Sequence, residues 1–95
     1  MQFYTVRNWN EFQHYGKRNP PWIKLHRALL DDYNFCSLDD SAKAHLILLW
    51  IFASQHGGEI PNDTDFLEKK LSCKGINVMK YVELGFLVAK SSASD

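Results

Sequence analysis

A chain of 95 residues, 45% hydrophobic and 14% aromatic, has room for one domain with one packed core and is too apolar to be wholly disordered. Eleven Lys and Arg cancel eleven Asp and Glu, and a formal net charge of zero excludes the uniformly basic surface usual in nucleic-acid binders. The charges are bunched, however: acidic at Asp31-Asp32, Asp39-Asp40 and Asp63-Asp65, basic at Lys17-Arg18, Lys24-Arg27 and Lys69-Lys70-Lys74, so a neutral total can still carry a polarised surface.

Phe3 to Arg7 is aromatic and β-branched with no breaker, which predicts a short strand. Trp9 to Tyr15 is a mixed aromatic and polar connector with room for one helical turn. Asn19 suits an N-cap and Pro20-Pro21 a first turn, so a helix is predicted from there to about Tyr33. Its apolar positions Leu25, Leu29, Leu30 and Tyr33 fall near helical spacing, with Lys24, Arg27 and Asp31 toward water. Ser37 or Asp39 can cap the next helix, expected from about Asp40 to Gln55. That helix is apolar on nearly every side from Ala42 to Ala53, so it is expected to be surrounded by other elements, with Trp50 and Phe52 in the core and His45 bonded to a carbonyl. Gly57-Gly58 ends it.

Glu59-Ile60-Pro61 is expected to be a short extended bridge. Asn62 or Asp63 then caps a third helix with Phe66, Leu67 and Leu71 inward and Glu68, Lys69 and Lys70 outward. Ser72 to Gly75 makes a turn. A fourth helix, roughly Ile76 to Leu84, would bury Ile76, Met79 and Val82 and leave Asn77, Lys80 and Glu83 outside. Gly85 stops it, and Phe86 to Ala89 is a strand expected to pair with the Ile60 bridge. The fold class expected is α+β, mainly α with a small sheet: a winged helix-turn-helix of about four helices and two or three short strands. Residues 1–20 form a strand and an aromatic, basic connector packed on the domain, 21–90 the winged helix, and 91–95 a disordered polar tail.

Little in the chain points to catalysis. Asp39 and Asp40 are adjacent, so on a helix they diverge by about 100°, and both sit where caps belong. No Ser-His-Asp order, phosphate-binding glycine loop or metal motif occurs, so no enzyme, cofactor or metal is expected. Cys36 and Cys73 lie far apart and read as free thiols of a reducing compartment. The apolar run Leu46–Ala53 is far below the roughly 20 residues of a bilayer-spanning helix, and the N-terminus has no basic-then-apolar signal region, so the cytoplasm is the expected location.

The order bridge, helix, turn, helix, strand matches a plan in which the second helix enters a DNA major groove. On that plan Asn77 and Lys80 reach bases or phosphates, and Lys69, Lys70 and Lys74 clamp the backbone. Glu83 on the same stripe would repel it. His14-Tyr15 and Lys17-Arg18 with Trp22 and Lys24 interleave aromatic and basic groups, a pattern able to stack a base, although Trp9, Phe12 and Trp22 read better as packing residues. The DNA-binding candidates are therefore Lys69, Lys70, Lys74, Asn77, Lys80, Lys17 and Arg18.

Phe3-Tyr4-Thr5-Val6-Arg7-Asn8-Trp9, Phe12-Gln13-His14-Tyr15, Arg18-Asn19-Pro20-Pro21-Trp22-Ile23-Lys24-Leu25, Leu29-Leu30-Asp31, the spacing Gly58-x-Ile60-Pro61-x-Asp63 and Leu84-Gly85-Phe86-Leu87 together carry a resemblance. The chain resembles the N-terminal domain of phage and prophage replication proteins and replisome organisers. That resemblance implies a double-stranded DNA-binding winged helix acting in replication initiation in a bacterial host cell. Members carry a longer variable region after this domain; ending at Asp95, the chain is expected to be an isolated domain, a piece of a longer protein, or a small phage protein on the same scaffold. Two alternatives remain: a winged helix that docks replication or host-defence proteins, for which exposed Trp9, Tyr15 or Trp22 would serve, and a transcriptional repressor, which should dimerise.

Overall fold

The computed structural model describes residues 2–9 and 20–90. They form an α+β fold with a three-stranded antiparallel sheet: strand β1 (Phe3–Val6), a 3₁₀ helix (Arg27–Asp31), helix α1 (Tyr33–Cys36), helix α2 (Asp40–Ser54), strand β2 (Glu59–Pro61), helix α3 (Thr64–Leu71), helix α4 (Val78–Glu83) and strand β3 (Leu87–Ala89).

The expected pairing of the Ile60 bridge with the strand after Phe86 does not occur. The sheet order is β2-β1-β3, with Tyr4 opposite Ile60 on one side and opposite Ala89 on the other. Both outer strands run antiparallel to β1 and therefore parallel to each other. The N-terminal strand fills the slot between them with two antiparallel ladders, whose hydrogen bonds are the better aligned kind. Tyr4 and Val6 turn inward from β1, where they meet the buried Ile60 and Leu87. Lys90 reaches across β1 to pair with Glu59, so the two edges are also tied by charge.

Helix α2 supplies more of the core than any other element. Asp39 caps it, its carboxylate accepting from Ala42 N–H at 2.7 Å. Ala42, His45, Leu46, Leu49, Phe52 and Ala53 form its buried stripe, and Leu46 and Leu49 are completely enclosed. Such a leucine contributes about 1.5–3 kcal/mol by leaving water. The helix is not enclosed all round as its composition suggested: Ala44 and Ile51 are exposed, and Trp50 is half-buried beside the core. One stripe suffices because the sheet and the two following helices all pack on the same side of it. The His45 side chain, expected to bond a carbonyl, has no hydrogen bond among the described residues.

The helix expected from Pro20 to Tyr33 is replaced by irregular chain to His26, the 3₁₀ helix, and the separate four-residue α1. Pro21 disfavours helical backbone at Pro20. His26 Nδ1 and Asp32 Oδ1 then each open a new short helix by accepting from Ala28 and Phe35 N–H, which outcompetes a continuous ladder. The predicted apolar face is accordingly absent: Leu25, Leu30 and Tyr33 are 51%, 81% and 83% exposed, and only Leu29 touches the core. The N-cap expected at Asn19, the connector through Tyr15 and the tail 91–95 lie outside the described residues.

Candidate nucleic-acid interface

Helices α3 and α4 and the turn between them carry five of the seven sequence-chosen residues. Asp63 caps α3 through Phe66 N–H, and Leu67 anchors the helix in the core. Phe66, expected inside, is 45% exposed, its ring meeting Phe52 edge-on at 6.1 Å. At the other end Cys73 N–H bonds Glu68 O and Ser72 N–H bonds Lys69 O, with Ser72 left-handed at φ 55°. The Glu68 carboxylate then accepts from Gly75 N–H at 2.7 Å and Ile76 N–H at 3.1 Å. One acidic side chain, expected to face water, thus folds the turn.

Helix α4 starts two residues later than expected and with a different face inward. Asn77 is its N-cap, accepting from Lys80 N–H at 3.2 Å. That places Ile76 before the helix, where it is still buried, and turns Val78 and Tyr81 to the core. Met79, expected inside, is 50% exposed, although its sulfur accepts from the Tyr4 hydroxyl at 3.3 Å. The Tyr81 hydroxyl donates to Ala42 O at 2.9 Å, which lets a polar group lie in the core without loss. Gly85, at φ 85°, ends α4, and Phe86 N–H returns to Tyr81 O.

The electrostatics follow from these caps. Asp32, Asp39, Asp63 and Glu68 all aim carboxylates at backbone N–H groups. Lys69, Lys70 and Lys74 are exposed and Lys80 is half-exposed, and among the described residues none of the four has a carboxylate within ion-pair distance. Asn77 spends its side-chain oxygen on the cap, leaving only its NH2 to donate outward. Burial, then Glu68, pushes the Cys73 thiol above its usual range; burial, then Asp39 and Cys73, pushes the Tyr81 phenol up to about 12.

Lys17 and Arg18, and any wing following Val88 beyond Lys90, lie outside the described residues. Trp22, read from sequence as a packing residue, is 55% exposed. A second cationic cluster takes in the basic bunch Lys24-Arg27 noted in the sequence but joins it to residues not associated with it there: a cavity of about 710 Å3 beside the sheet, with Arg7, Lys24 and Arg27 in its wall together with Trp9, Trp50 and Phe86. Its residues come from four separate stretches of chain, so no local pattern announces it. Among the described residues no group of His, Cys, Asp or Glu could hold a metal, both cysteines are free, and no helix is long and apolar enough to cross a membrane. No family model, curated protein or solved structure matches the chain.

Proposed function

We propose that this chain is a non-catalytic winged helix-turn-helix module of phage or prophage origin that binds duplex DNA during replication initiation in the bacterial cytoplasm. In this reading α3 crosses the phosphate backbone, α4 lies toward the major groove, and Lys69, Lys70, Lys74 and Lys80 contact phosphates. The observation that carries it is that these four lysines, on α3, the turn after it and α4, have no ion-pair partner among the described residues, while Asp63 and Glu68 are held by backbone N–H groups. A formally neutral chain can thereby offer a locally cationic edge. Base recognition by α4 has weak support, because its outer side presents Met79 and Glu83 beside Lys80. Contacts to phosphate without strong sequence preference fit better. Titrating a labelled duplex at low and at moderate salt tests this: binding that weakens steeply with salt is expected, and absence of binding at low salt overturns it.

A second reading, a protein-docking winged helix, is favoured by one observation. Trp22, Leu25, Leu30 and Tyr33 are all more than half exposed within one short stretch. Co-purification of a replication or host protein that is lost on Leu30→Ser and Tyr33→Ser substitution, with duplex binding absent, would establish it. A repressor role instead requires a dimer in solution-mass measurement.

A further inference from the structure

The cavity beside the sheet holds chemistry that duplex binding by α3 and α4 leaves unused. At about 710 Å3 it is in the range of small-ligand sites. Trp9, Trp50 and Phe86 line it, and the Trp50 ring is itself fixed, stacked on Phe35 at 6.4 Å and edge-on to Phe86 at 6.3 Å. Among the described residues the buried Trp50 indole N–H meets no acceptor. A buried donor of that kind carries a penalty until an acceptor reaches it.

The charge in the wall is cationic. Among the described residues of the wall, Arg7, Lys24 and Arg27 are joined by one carboxylate, Asp32, which accepts from Phe35 N–H at 2.9 Å. Neither arginine has a carboxylate within ion-pair distance among the described residues. His26 accepts from Ala28 N–H through Nδ1, which puts its proton on Nε2 and adds a ring donor to the lining.

We propose that this cavity binds a nucleotide, either free or as a unit of a single strand, with the base among the aromatic rings and the phosphate on Arg7 and Arg27. Planar guanidinium groups match phosphate oxygens two at a time. Aromatic side chains beside them supply stacking surface that any base can use. A base carbonyl or ring nitrogen is the acceptor the Trp50 N–H lacks. A simple inorganic anion would use the arginines and leave rings and indole idle. The site is separate from the duplex surface: none of Lys69, Lys70, Lys74 and Lys80 lines the cavity.

The test is anisotropy of a labelled oligothymidylate with the intact chain at low salt, with unlabelled AMP and an acidic Glu/Tyr copolymer as competitors. Displacement by AMP identifies a free-nucleotide site; retention of the strand against AMP identifies a single-strand site, and both support the proposal. In either case Arg7→Gln with Arg27→Gln should weaken binding about tenfold, while Lys43→Gln, which lies neither in the cavity wall nor on α3 and α4, leaves it unchanged. Trp50→Phe keeps a ring but removes the N–H, and should weaken binding about threefold with Tm unchanged. Should that variant lose Tm, the exposed arginine pair decides alone. The proposal is overturned if neither nucleotide probe binds, if the arginine variant binds like wild type, or if the acidic copolymer competes as well as the strand.

Discussion

The indole of Trp9 lies over Gly58, so close that a Cβ on the glycine would stand 2.8 Å from Trp9 Cγ. Gly58 also has φ 90°, its N–H closes the end of α2 on Ala53 O at 2.8 Å, and its carbonyl accepts from Val6 N–H at 3.0 Å. Gly58→Ala meets both a strained backbone and the ring, and should cost about 2–4 kcal/mol, read as a fall in Tm. Trp9→Ala in that background should recover part of the loss, because the clash goes and the backbone strain stays. Strictly additive effects in the double-mutant cycle would contradict this contact.

Tyr81 ties α4 to α2 through its bond to Ala42 O. Tyr81→Phe keeps the ring and should cost about 1 kcal/mol. The phenol ordinarily ionises near 10 and in the folded chain near 12. Between those values the unfolded chain has released the proton and the folded one has kept it, so this group's contribution to stability falls as pH rises. The slope should approach about 1.4 kcal/mol per pH unit in that window and vanish below it. Urea unfolding of both proteins across the window should show the extra slope in wild type alone; parallel curves would refute the assignment.

The turn between α3 and α4 depends on Glu68. Glu68→Gln keeps an acceptor but loses its charge, and should cost about 1–2 kcal/mol. Because Glu68 helps hold the Cys73 thiol up, the same substitution should lower it and give more thiolate at fixed pH. Alkylation of Cys73 by iodoacetamide should therefore quicken relative to Cys36, measured by peptide mapping. An unchanged ratio would show that the carboxylate does not act on the thiol.

Ser72 occupies left-handed backbone, φ 55° and ψ 46°, at the end of α3, where glycine is the usual occupant. Ser72→Gly should raise stability by about 0.5–1 kcal/mol in denaturant unfolding, the relief of strain being partly offset by a more flexible unfolded chain. A loss of stability would mean that the serine side chain makes a contribution its geometry does not suggest.

Much of the fold was legible where one local signal dominated. Asp39 and Asp63 are the caps their positions suggested, and the apolar run from Ala42 to Ala53 is the core helix. Where two local signals compete, sequence reading failed. The leucines from Leu25 to Leu30 have helical spacing, but the prolines before them and the caps at His26 and Asp32 break the chain into short turns. Asn77 could be an outward helical residue or a cap, and as a cap it shifts which of Met79 and Tyr81 is buried. Strand order was invisible because propensity marks a strand without saying whether it has one neighbour or two. Of the candidate interface, Lys69, Lys70, Lys74 and Lys80 could be picked as a basic cluster near a turn, whereas the role of Glu68 needed the turn's geometry. The Arg7, Arg27 and Trp50 cavity joins stretches far apart in the chain, and only its Lys24-Arg27 portion showed as a basic bunch.

The claim that α3 and α4 grip duplex DNA through Lys69, Lys70, Lys74 and Lys80 is tested most directly by the salt dependence of duplex binding in wild type and in the variant with all four changed to Gln. Four phosphate contacts should give a slope of log affinity against log salt of about −3 to −4 in wild type, falling close to zero in the variant. A wild-type slope near zero, or a variant that keeps the wild-type slope, would contradict it.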